Sequence, residues 1–147
     1  MRLYKEALKD YDKSIELNPN DSNTYNNRGL TKYSLGLYKE AIKDYNKAIE
    51  LTPDYTNAYG NRGSAKDELG DYKEAIEDYD KAIELEPNTA YLYNYRGWVK
   101  KNAGLYKEAL KDYKEALKDY KKALELDPNN EYAMSNIENL KKEHSLK

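Results

Sequence analysis

Cysteine and phenylalanine are absent from this 147-residue chain; histidine and tryptophan occur once each, and proline four times. Without Cys there is no disulfide, no thiolate metal site and no cysteine nucleophile. The lone His144 leaves almost nothing for a histidine-based metal or acid–base site. No Ser–His–Asp set, Gly-rich phosphate loop or metal-ligand spacing is present. The expectation is a non-catalytic protein with no cofactor and no metal. Long apolar runs are lacking as well: none approaches the ~18 residues of a membrane span, and the N-terminus has no apolar signal core. Membrane insertion is not expected. Nor is there a basic surplus, since 25 Lys+Arg face 27 Asp+Glu for a formal net charge of -2. That balance argues against a nucleic-acid partner, whose phosphates need neutralising. A chain that is 35% charged and 39% hydrophobic has a composition compatible with disorder. The order of its residues decides otherwise.

The four prolines, Pro19, Pro53, Pro87 and Pro128, fall at steps of 34, 34 and 41, and such a period signals stacked units. GLYKEAIKDYNKAIELTP ends at Pro53, GDYKEAIEDYDKAIELEP at Pro87, and LYKEALKDYDKSIELNP at Pro19. Each step reads as helix–turn–helix. A first helix runs from about Tyr25 to Leu35 and stops at Gly36, a residue suited to a left-handed helix end. A second starts near Tyr38, carries Ala41, Ile42, Tyr45, Ala48 and Ile49 at helical spacing, and stops before Pro53. Neither helix buries its stripe alone, so neighbours must stack.

The set Tyr25, Gly29, Tyr38, Ala41, Tyr45, Ala48 and Pro53 resembles the tetratricopeptide repeat. It recurs as Tyr59, Gly63, Tyr72, Ala75, Tyr79, Ala82 and Pro87, then as Tyr93, Gly97, Tyr106, Ala109, Tyr113 and Ala116 with Pro128 displaced. The resemblance implies an all-α, right-handed superhelical solenoid, one array over 1–147. Its parts are the second helix of a truncated repeat (1–21), repeats 22–55, 56–89 and 90–130, and a capping helix with tail (131–147). The opening inside a second helix, with Arg2 at the turn-glycine position, suggests a piece of a longer array. Gly29, Gly63 and Gly97 are expected to let paired helices approach closely against Ala41, Ala75 and Ala109. Glu138, at the same position of the last helix, suits a cap with nothing docked behind it.

The third step is longer by seven because YKEALKD occurs twice, at 106–112 and 113–119. The second helix of that repeat should run some ~22 residues, or ~33 Å. Seven residues are nearly two turns, so its apolar stripe drifts by only ~20°. Either the insertion merely moves the cap along the axis, or a protruding stripe of Tyr113, Leu117, Tyr120 and Leu124 recruits another helix, making the chain a homo-oligomer or assembly module.

Most of the 17 Tyr occupy repeat positions where an aromatic fills the core. The rest are Tyr33, Tyr55, Tyr91, Tyr95 and Tyr132. On a helical wheel the side of the first helices away from Tyr25 and Gly29 carries Asn23, Asn26, Leu30 and Tyr33, then Asn57, Ser64 and Asp67, then Tyr91, Asn94, Trp98 and Lys101. The resemblance implies that this face lines a concave groove where a protein or peptide partner docks, and Tyr55 and Tyr95 fall on its flanks. Exposed aromatics among Asn suit recognition; alternatively, some cover a neighbouring helix. Asn27 and Asn61 are equivalent, one repeat apart, and similar to an asparagine ladder that holds peptide backbones in the family. Tyr95 interrupts that ladder in the third repeat. The family's Lys/Asn/Arg clamp for chaperone C-termini is not expected, because Asn26, Tyr91 and Tyr95 stand at its charged positions.

Arg28, Arg62 and Arg96 share one repeat position, and Asp44, Asp78 and Asp112 share another. A guanidinium tolerates partial burial better than an ammonium, so pairing between adjacent helices is expected. The other reading is an anion-binding row of Arg28–Lys32, Arg62–Lys66 and Arg96–Lys100. His144, in the polar tail, reads as solvated.

Overall fold

The computed structural model describes residues 2–145, with the Arg2 side chain outside the described part. Eight helices account for it: α1 (Arg2–Leu17), α2 (Ser22–Ser34), α3 (Tyr38–Leu51), α4 (Thr56–Glu68), α5 (Tyr72–Leu85), α6 (Ala90–Asn102), α7 (Tyr106–Leu126) and α8 (Glu131–His144). There is no strand among the described residues. The chain divides after Leu85 into two compact units, α1–α5 and α6–α8.

Local chemistry fixes the helix ends. Asp21 caps α2 by accepting from the Asn23 amide at 3.1 Å, and Asn130 caps α8 by accepting from the Ala133 amide at 2.9 Å. After α2 the chain turns at Gly36, whose φ of 74° falls in the left-handed region that L side chains avoid. The Leu37 amide then reaches back to the Lys32 carbonyl at 2.9 Å, closing the turn and satisfying a terminal carbonyl.

In the first unit α2 packs on α3, α4 on α5, α3 on α4 and α1 on α2. Each first helix has two buried sides. One carries the expected glycine, but the ring of a tyrosine, more than the alanine, fills the space opposite. A Cβ built on Gly29 would lie 2.6 Å from Tyr45 Cε1, and one on Gly63 would lie 2.9 Å from Tyr79 Cε2 and 3.2 Å from the Ala75 carbonyl oxygen. The other side of α4 carries Ala58, which packs with Tyr25 and Ala48, and Ala65, which packs with Ala41 and Tyr45. The proline turn is also tied down: Tyr59 Oη donates to the Pro53 carbonyl at 3.1 Å.

The interior hydroxyls are unequal. Tyr79 Oη lies 2.7 Å from Ser64 Oγ, whereas the buried Tyr45 and Tyr113 hydroxyls have no partner among the described residues. The residues equivalent to Ser64 are Leu30, which has no polar side-chain atom, and Trp98, whose indole N–H does not bond the Tyr113 hydroxyl. A buried hydroxyl without a partner costs about 1–3 kcal/mol. Tyr45→Phe is therefore expected to raise stability in urea titrations, while Tyr79→Phe lowers it by about 1 kcal/mol. Equal losses for both would contradict this account.

In the second unit α7 packs on α6 and on α8. It has 21 residues against 14 in α3 and in α5, the seven-residue lengthening expected from the duplicated heptad. Ala109, Tyr113, Ala116, Leu117 and Tyr120 form one cluster with Ala133 and Leu140 of α8. Exposed Glu138 stands on the outer side of α8.

Candidate interaction surface

The two charged rows expected on the first and second helices meet inside the fold. Arg28 grips Asp44 bidentately, Nε to Oδ2 at 2.9 Å and Nη2 to Oδ1 at 2.6 Å, and Lys32 adds a contact at 2.7 Å. Arg62 and Lys66 hold Asp78 in the same way at 2.6–2.9 Å, and Arg96 and Lys100 hold Asp112 at 2.7–2.9 Å. Each guanidinium also lies over the tyrosine three residues earlier, 5.4–5.6 Å from the ring centroid. Its bond to Asp44 holds the Arg28 guanidinium well above the usual arginine range. The anion-binding row does not form, because both cations of each repeat converge on one buried carboxylate.

In the first unit the proposed groove residues largely engage one another. Asn26 is a correction: it is buried, not groove-lining, because α2 and α4 approach each other there and Asn61 Nδ2 donates to its Oδ1 at 3.0 Å. That bond also takes a donor from the expected Asn27–Asn61 ladder. Asn23 accepts from Tyr55 Oη at 2.8 Å, and Tyr33 Oη donates to Glu68 at 3.3 Å. Burial, followed by Glu68, pushes the Tyr33 phenol up to about 12. The Tyr33 bond ties one repeat to the next, the covering role left open above, and the Tyr55 bond ties the end of its repeat back to α2. Ser64 faces Tyr79, and Asp67 is half-buried. Asn27, Leu30 and Asn57 are exposed.

The second unit differs. On α6 Tyr95 is 51% and Trp98 46% exposed. Tyr91, half-buried, sets its ring edge-on to Tyr95 at 6.3 Å, and Lys101 Nζ lies 5.2 Å from the Trp98 ring centre. Burial raises the Tyr91 phenol. Asn94 is half-buried beside them. Tyr132 keeps most of its surface in water while its ring meets Tyr120 edge-on at 5.9 Å.

The stripe expected to recruit another helix is also corrected. Tyr113, Leu117 and Tyr120 are buried and Leu124 is half-buried, because α6 and α8 of the same chain already cover them. What α7 leaves open is its first turns, where Tyr106 is 69% exposed. His144 is not solvated either. The helix runs on to it, and its ring stacks on Tyr113 at 3.7 Å with an interplanar angle of 10°. Burial, then the nearby Lys101, lowers its pKa. The polar tail carried no apolar periodicity to signal that contact. Among the described residues no His/Cys/Asp/Glu group is placed to hold a metal, and no helix is long and apolar enough to cross a membrane.

A tetratricopeptide-repeat family model matches residues 22–55, 56–89 and 110–130, and a second TPR repeat model matches 4–36. The third match begins within α7. No match was found among curated proteins. Among solved structures the chain is similar to a crystal structure of MamA, at 23% identity over 97% of this chain and 89% of that one with a TM-score of 0.74. It is similar to MamA MSR-1 at 25% identity over 82% and 70%, TM-score 0.73. For residues 41 to the end of MamA from Desulfovibrio magneticus RS-1 the figures are 22%, 81% and 67%, with a TM-score of 0.76. These likenesses show an all-helical repeat fold shared below the level at which sequence alone reveals kinship. The family models span more than half of the sequence, two of the matches falling on the α2–α3 and α4–α5 pairs, and the chain belongs to the tetratricopeptide-repeat family.

Proposed function

We propose that this protein is a non-catalytic scaffold that binds a segment of a partner protein, with the exposed face of α6 as its anchor. The family is one of protein-interaction scaffolds, and the observation that carries the reading here is the aromatic row of α6. Tyr95 and Trp98 each keep about half of their surface in water beside Lys101. Large, rigid, amphipathic rings of this kind anchor interfaces at little entropic cost.

The test is selection of peptides from a random displayed library against the whole chain, followed by calorimetric titration, which reads the Trp98 variant as well as the parent chain. Trp98→Ala and Tyr95→Ala, with helicity unchanged, are each expected to weaken the selected peptides more than tenfold, or about 1.4 kcal/mol. Affinities that survive both substitutions place recognition elsewhere and defeat the proposal.

A further inference from the structure

The duplicated heptad makes α7 carry two packing frames, and its two neighbours use different ones. Gly97 of α6 faces Tyr113 and the Ala109 carbonyl as Gly63 faces Tyr79 and the Ala75 carbonyl, which is the frame of the first copy. On the other side, Leu140 of α8 joins Ala116 and Tyr120 at the sequence spacing by which Ala65 of α4 joins Ala41 and Tyr45. That is the frame of the second copy. The family match starting at 110 follows the same second frame.

Among the described residues, one turn pair of α7 is consequently left without a covering helix. Tyr38 and Ile42 pack into the cluster beneath α4, but the equivalent Tyr106 and Leu110 are 69% and 38% exposed. Among the described residues of α8, the His144 ring lines the hollow beside them. The result is a hollow of about 220 Å³ lined by Lys101, Tyr106, Ala109, Leu110, Tyr113 and His144. Its walls are apolar, its one fixed charge is Lys101, and no carboxylate lines it. Cavities of about 150 Å³ admit a benzene ring, so this one has room for a single large side chain. Lys101 has no carboxylate within salt-bridge reach among the described residues, and its ammonium bridges the hollow to Trp98.

We infer that this hollow seats one bulky apolar side chain of an acidic partner segment, with Lys101 meeting a carboxylate beside that anchor. The inference rests on the partner-binding reading of the α6 face and adds to it the chemistry of the partner.

The experiment titrates the full chain with three synthetic peptides, read by Trp98 emission and calorimetry. One is a short Asp/Glu peptide with a single central Phe, the second has Ala in place of Phe, and the third keeps Phe among lysines. Phe in the acidic peptide is expected to bind at least tenfold tighter than either control. Leu110→Glu and Lys101→Glu, both at exposed positions, are expected to remove that preference with helicity unchanged. A second variant deletes 113–119, which returns α8 to the first frame and closes the hollow, with the same expected loss. Binding of the acidic Phe peptide that is absent, matched by the controls, or unaffected by Leu110→Glu overturns the inference. If library-selected peptides still depend on Trp98 while Leu110→Glu leaves them unchanged, the α6 face stands and the hollow alone is refuted.

Discussion

Replacing Asp78 with Ala is expected to lower the unfolding free energy by about 3 kcal/mol, the low end of the range for breaking a buried ion pair. Asp78 is 4% exposed and accepts from both Arg62 and Lys66. Its loss strands two cations that retain less than a fifth of their side-chain surface in water, at 19% and 18%. That residual hydration keeps the penalty from the upper end. Arg62 also lies 5.4 Å from the Tyr59 ring centroid and donates to Asn46 at 2.8 Å, so it cannot swing out to solvent without giving up those contacts. Urea titration followed by circular dichroism measures the effect. A loss below about 0.5 kcal/mol would place the cluster among ordinary surface pairs.

Gly63→Val is expected to cost about 1–3 kcal/mol through overpacking. The first added carbon would meet the Tyr79 ring at 2.9 Å and, more decisively, the Ala75 carbonyl oxygen at 3.2 Å, which cannot rotate aside. The loss should grow from Ala to Val. Gly70 provides the contrast: its φ is +80° and nothing lies within 4 Å of a Cβ there, so Ala and Val are both strained by backbone alone. Thermal melts of the four variants separate the causes, and a Gly63 series flat with side-chain size would contradict the contact.

Period and chemistry together made much of the fold legible. Helix ends followed from recurring Gly and Pro, and the Arg28–Asp44 pairing followed because both residues recur at fixed repeat positions. What escaped was anything that depends on how one repeat leans on the next. Asn26 reads as a solvent residue on a wheel, yet the approach of α2 to α4 buries it. Ala58 and Ala65 are small enough to look incidental, yet they form a second buried side of α4. The two heptads of α7 are identical in sequence, and the signal that α8 adopts the second is the eight-residue step from Tyr120 to Pro128, the same as from Tyr45 to Pro53. The exposed aromatics of α6 were readable because Tyr95 and Trp98 are not needed by the repeat pattern, whereas Tyr33 and Tyr55, surplus in the same way, turned out to be braces, Tyr33 between repeats and Tyr55 within one.

The insertion in α7 has a consequence for how such a chain can change over generations. Each residue advances the azimuth of a helix by about 100°, so an extra five would swing everything beyond it by roughly 140° and an extra nine by about half a circle. Seven returns it almost to its starting bearing, leaving a displacement along the axis as the only disturbance. Heptad gain or loss is therefore a genetic step that a repeat protein survives without recoding its neighbours, and each such step can strip one patch of side chains of its cover and offer it to a new contact.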